Sequence, residues 1–139
     1  MILADTSGLF AALVENQRTH EGAKTALVEA DHPILLSPFV LAELDYFLAR
    51  QAGVGAELAF LSEVSAGAYD LVTFDAADVR EAETVIGKYS DLGIGLADAS
   101  LVVLAGRYRT NRILTLDERH FRALRTPAGE PFVVLPADG

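Results

Sequence analysis

Leu96-Ala97-Asp98-Ala99-Ser100-Leu101-Val102-Val103-Leu104-Ala105 is apolar on nearly every side of a helix, apart from one acid and one serine. A short basic stretch then leads to Arg112-Ile113-Leu114-Thr115-Leu116-Asp117, a strand-type run that ends on a second acid. A helix that is apolar all round is a buried one, and a buried helix feeding a short apolar strand is half of a βα unit. Working outward, the same alternation recurs. Ile2-Leu3-Ala4, Ile34-Leu35-Leu36, Leu71-Val72 and Phe132-Val133-Val134-Leu135 are the other strand candidates. Helical spacing falls near residues 7 to 15, 20 to 30, 38 to 51, 55 to 66, 75 to 89, 96 to 108 and 118 to 124, separated by breaks such as Ser37-Pro38 and Gly53-Val54-Gly55. This pattern predicts an α/β fold: a mostly parallel sheet of about five strands with helices on both faces. No internal repeat or linker divides the chain, so residues 1–139 are expected to form a single domain.

A chain of 139 residues can bury one sizeable core without disulfides or zinc. It has no cysteine, which excludes thiolate metal sites, cysteine nucleophiles and disulfide frameworks and leaves oxygen and histidine chemistry. No stretch approaches the roughly 18 to 20 apolar residues of a membrane span. The opening Met1-Ile2-Leu3-Ala4-Asp5 lacks the basic start and long apolar run of a secretory signal, so a cytoplasmic address and no membrane association are expected. The net charge of -9 argues against a nucleic-acid partner until its distribution is read. Arg107, Arg109, Arg112, Arg119, Arg122 and Arg125 fall in a short segment with only Asp117 and Glu118 among them, which is locally +4. Solvated helix faces account for such a segment as readily as a phosphate-binding stripe does.

In open parallel sheets, ligands bind beyond the carboxyl ends of the strands. Asp5 follows the first strand there, Asp117 follows the fourth, Glu43 sits one to two turns into the helix after the second, and Asp98 lies in the helix leading to the fourth. Each has a structural alternative. Asp5, Asp98 and Asp117 could cap or occupy the first turn of a helix. Asp45 flanks the apolar stripe of its helix opposite Glu43, and Glu43 is preferred only because it is nearer the helix start. Asp98, spaced from Ile94, Leu101 and Val102 as part of an apolar stripe, needs a partner: a cap, a cation, a proton or a metal. Jointly, acids gathered at one edge repel unless a cation stands between them. All-oxygen donors favour Mg²⁺ or Mn²⁺ over zinc. The histidines, His20, His32 and His120, look peripheral, with His120 the nearest to the site.

These residues resemble those of PIN-domain nucleases, specifically VapC-type toxins. The likeness spans nearly the whole chain. It rests on the opening strand with Asp5-Thr6-Ser7, on Ser37-Pro38-Phe39-Val40-Leu41-Ala42-Glu43-Leu44, on Gly93-Ile94-Gly95-Leu96-Ala97-Asp98-Ala99, and on Ile113-Leu114-Thr115-Leu116-Asp117 followed by His120-Phe121. The resemblance implies a Rossmann-like PIN fold and Mg²⁺- or Mn²⁺-dependent hydrolysis of RNA. The catalytic set would be Asp5, Glu43, Asp98 and Asp117, with Asp5 and Asp98 as direct metal ligands. Thr6, Ser7 and Thr115 would orient ligands or water, and Asp91 stays outside the set. It also implies a homodimer and a cognate VapB antitoxin lying across the site. Arg112 and Arg119, flanking the strand that delivers Asp117, are the first candidates for substrate contact. Other classes fit less well. A receiver domain is expected to carry a lysine after its last strand, and none follows Lys88. A haloacid-dehalogenase phosphatase would want an acid where Ser7 stands, and aspartic proteases are all-β. The remaining alternative is a PIN-like module that binds RNA or protein without cutting.

Overall fold

A computed structural model describes residues 1–139. Its strands are β1 (Ile2–Ala4), β2 (Ile34–Leu36), β3 (Asp70–Leu71), β4 (Arg112–Leu114) and β5 (Val133–Leu135). All pair in parallel, in the order β3-β2-β1-β4-β5. The helices are α1 (Thr6–Leu13), α2 (His20–Glu29), α3 (Pro38–Gln51), α4 (Val54–Ser65), α5 (Ala76–Lys88), α6 (Leu96–Tyr108) and α7 (Glu118–Ala123). The seven predicted helices and five strands are all present, and the α/β architecture is the expected one. No helix is long and apolar enough to cross a membrane.

The strand order explains where a site can form. The chain lays β2 and β3 on one side of β1, then returns to place β4 and β5 on the other. The two halves therefore diverge between β1 and β4, which opens a crevice beyond the carboxyl ends of those strands. Leu3 stands in register with Leu35 on one side and Ile113 on the other, all fully buried. Parallel strands covered on both faces need such continuous apolar runs.

Local chemistry fixes the helices around this sheet. Ser37 caps α3 by accepting from the Phe39 amide at 3.2 Å, with Pro38 in the first turn where its missing N–H costs nothing. Asp75 and Asp78 form a reciprocal capping box at the start of α5. In α6, every residue from Ala99 to Ala105 is buried, as the uninterrupted apolar run predicts. Ser100 is accommodated by donating to the Ala97 carbonyl at 2.6 Å and by a 2.7 Å contact with the Ser37 hydroxyl. Gly8 in α1 packs so closely on β4 that a Cβ there would lie 2.5 Å from the Leu114 carbonyl oxygen. This approach brings the start of α1 against the end of β4.

Candidate metal centre

The acids predicted from separate parts of the chain line one open cavity of about 460 Å³, together with Thr6, Ser7, Phe10, Phe47 and His120. β1 delivers Asp5, whose carboxylate is buried and makes no capping bond to α1. Instead Asp5 Oδ2 accepts from Thr115 Oγ1 at 2.6 Å and from Ser7 Oγ at 3.0 Å. Ser7 Oγ also accepts from the Leu116 amide, and Thr115 Oγ1 from the Asp117 amide, each at 3.0 Å. These bonds tie the end of β1 to the segment after β4. They also end β4 earlier than expected, because the Leu116 amide is turned to Ser7 rather than to a neighbouring strand. Burial pushes the Asp5 carboxyl up to about 6; the nearby Asp98 adds to this, and the Thr115 and Ser7 hydroxyls oppose it.

Asp98 sits in the first turn of α6, where Gly95 holds the cap position, so the acid is not the cap. Burial raises its pKa, a hydrogen bond with His120 pulls the other way, and Asp117 and Glu43 add to the rise. Asp117 does cap its helix, accepting from the His120 amide through Oδ1 at 3.0 Å, while its other oxygen faces the cavity group. Asp117 thus caps α7 and lines the cavity at the same time. Glu43 lines the cavity from α3. Asp45, its rival, does not line the cavity and stands instead beside Glu57 of α4, whose pKa its proximity raises. Asp91 lies exposed in a short 3₁₀ turn, Ser90–Leu92, and does not line the cavity.

The structure corrects three expectations. Arg112 opens β4 at its amino end and lines a different cavity, with Glu21, Glu29 and Pro136, so it does not flank the acids. The arginine segment is not a continuous stripe: Arg107 pairs with Asp78 at 2.6 Å, and Arg122 bridges Glu118 and Asp138 at 2.9 and 2.7 Å. Arg119, exposed in the first turn of α7, has no ion-pair partner. Finally, His120 is not peripheral. Its Nδ1 lies 2.7 Å from Asp98 Oδ2 and 3.0 Å from Asp117 Oδ2. The signal for it was its place three residues after Asp117, one helical turn along the same face.

The donor set suits a hard divalent cation. Asp98, Asp117 and His120 can each present one donor atom with all three within 4.8 Å of one another. Thr6 Oγ1, on the same cavity, is buried without a hydrogen-bond partner. Carboxylates gathered in this way, with burial raising the pKa values of Asp5 and Asp98 on the same cavity, are what a cation would relieve.

The raised Asp5 pKa fixes the sign of a pH effect. A carboxyl that binds its proton more tightly folded than unfolded makes stability fall as pH rises between the two pKa values. With divalent ions removed, stability is expected to fall from about pH 4 through about pH 6, by at most roughly 1.4 kcal/mol per pH unit from this group. Asp98 acts in the same direction. Asp138, lowered to about 2 chiefly by Arg122, exerts the opposite slope at lower pH. Urea midpoints at pH 5 and 7 in EDTA test this: the drop should shrink in Asp5→Asn, and a midpoint that rises over that interval would contradict it.

Fold and site together define a class. The chain belongs to the PIN-domain family, whose sequence profile matches residues 2–126. Within that family it is a VapC-type homologue: it is 44% identical over 135 residues to Ribonuclease VapC26 of Mycobacterium tuberculosis, an alignment covering 97% of this chain and 100% of that protein. The crystal structure of Mycobacterium tuberculosis VapC20, described as a Sarcin-Ricin loop cleaving toxin, matches with a TM-score of 0.79 over 85% of this chain and 91% of that one. At 18% identity this likeness bears on the fold alone.

Proposed function

We propose that this protein is a divalent-metal-dependent endoribonuclease, the toxin of a VapBC pair, acting in the cytoplasm as a homodimer of single PIN domains spanning residues 1–139. The observation that carries the reading is the convergence of Asp5, Glu43, Asp98 and Asp117 on one cavity from four separate elements. The near full-length likeness to a protein named a ribonuclease supports RNA as the substrate class. A cognate VapB-type antitoxin as the neutralising partner follows from the same kinship.

Asp5 and Asp98 would be direct ligands of Mg²⁺ or Mn²⁺, and Glu43 and Asp117 would complete the pocket directly or through water. Bound there, the cation supplies water activation and compensation of phosphate charge. The chain's own residues do the rest. Thr115 and Ser7 fix the Asp5 carboxylate by the two bonds to Oδ2. Thr6 Oγ1 offers an unused hydroxyl to water or a phosphate oxygen. Arg119 is the remaining candidate for holding the RNA backbone.

Purified protein incubated with end-labelled structured RNAs, a transfer RNA and a sarcin-ricin stem-loop among them, should cut at defined sites in Mg²⁺ or Mn²⁺. EDTA should reduce cutting below detection, and added metal should restore it. Cutting that persists unchanged in EDTA would sink the proposal.

A further inference from the structure

Among the groups facing the acidic cavity, His120 is the one nitrogen donor of the compact set that includes Asp98 and Asp117. Three observations bear on its role. Its Nδ1 stands 2.7 Å from one carboxylate oxygen and 3.0 Å from the other. Neighbouring ligands on an octahedral ion with bonds of ~2.1 Å are themselves ~3 Å apart, so this is the spacing of donors along the edges of one coordination shell. The ring is held in place from behind, since the His120 amide donates to Asp117 Oδ1 at 3.0 Å and the side chain is only 19% exposed. Nε2 has no hydrogen-bond partner near enough in the protein, its closest polar contacts being made through Nδ1. With a cation in the pocket the ring proton can sit on the unpartnered Nε2, freeing for the metal the Nδ1 lone pair that otherwise carries the proton of the hydrogen bond to Asp98.

We propose that His120 Nδ1 is a direct ligand of the divalent cation, shared with Asp98 and Asp117, and that this nitrogen tilts the site toward Mn²⁺ over Mg²⁺. The inference rests on the metal-dependent reading above and adds a residue and a selectivity to it. Imidazole binds first-row transition ions well, whereas Mg²⁺ prefers oxygen and retains its waters. An all-carboxylate pocket would lack that bias. His20, whose Nδ1 lies 2.9 Å from the Ala11 carbonyl, and His32, on another cavity, do not face the site, so a histidine signal at the metal reports His120.

The test is pulsed electron paramagnetic resonance of Mn²⁺ bound to the full chain, at natural abundance and with ¹⁵N-histidine. Nitrogen modulation that changes from ¹⁴N to ¹⁵N with the label is expected. This measurement uses the unmodified protein and does not depend on how a variant folds. In parallel, calorimetric titration of His120→Ala should show Mn²⁺ affinity reduced by roughly tenfold or more, with Mg²⁺ affinity changed by less than about threefold. Bound Mn²⁺ without nitrogen modulation overturns the proposal, since His120 then only donates a hydrogen bond to the acids. So does a Mn²⁺-to-Mg²⁺ affinity ratio unchanged in a folded His120→Ala. Failure of the broader reading looks different: the unmodified protein would bind no divalent ion, or would bind it equally well as Asp98→Asn.

Discussion

On the proposed function, Asp98→Asn is expected to lower RNA cleavage on the order of a thousandfold, while the metal-free protein remains at least as stable as the parent. The two halves of this expectation have one cause. Asp98 is a partly buried carboxylate whose pKa burial raises, so its charge is held at a cost that a bound cation offsets. Asparagine keeps the shape and can still accept from His120, but it carries no charge with which to hold a metal. In the proposed reaction this charge would act on the phosphate through the cation, and losing such a group costs several kcal/mol of transition-state stabilisation, hence the size of the expected effect. Removing a buried charge relieves desolvation, hence the preserved stability. Single-turnover cleavage and thermal unfolding in EDTA check both halves. A folded Asp98→Asn that cuts at near-parental rates would remove the carboxylate pocket from the mechanism.

Gly8→Ala is expected to destabilise the protein by about 3 kcal/mol, the upper part of the range for overpacking. The added Cβ would meet Leu114 at three atoms: the carbonyl oxygen at 2.5 Å, the carbonyl carbon at 2.7 Å and Cγ at 2.8 Å. Two of these are backbone and cannot swing aside. The same oxygen accepts from the Asp5 amide at 3.0 Å, so moving it loosens the junction of β1 and β4. Ser7 and Thr115, which hold Asp5, lie immediately beside the clash. Cleavage should therefore fall along with the urea midpoint, even though residue 8 bears no chemistry. A midpoint within error of the parent would show that α1 can lift from β4 without penalty.

Much of this was legible in the chain. The run from Ala99 to Ala105 announced a buried helix, and every residue of it is buried. Ser37-Pro38 announced the start of α3 and caps it as written. Strand ends were less legible, because side chains distant in sequence decide them. β4 was read through Leu116 but stops at Leu114, since Ser7 takes the Leu116 amide. Phe132 stays outside β5 and packs edge-on against Phe121 at 5.5 Å. Asp5, Asp98 and Asp117 stood out because each follows a strand or lies in the first turn of a helix, positions visible in one dimension, whereas Glu43, further into α3, was preferred to Asp45 only for being nearer the helix start. His120 was undervalued because its importance lies in distances of 2.7 and 3.0 Å to two acids, one of them on another helix. The arginines were overvalued for the mirror reason. Their partners, Asp78 for Arg107 and Asp138 for Arg122, are far enough along the chain that a local count leaves the charges looking free.

The placement of β4 beside β1 has a consequence for how the protein comes into being. The two strands that frame the pocket pair Leu3 with Ile113 and Ala4 with Leu114, across most of the polypeptide. Contacts of such long sequence separation form late and slowly, after the intervening loop entropy has been met. A chain interrupted before residue 112 lacks the strand that closes the crevice and the Thr115 and Asp117 that follow it. Aborted translation products ending before that strand therefore hold no assembled carboxylate pocket: the pocket arrives with the last third of the chain or not at all.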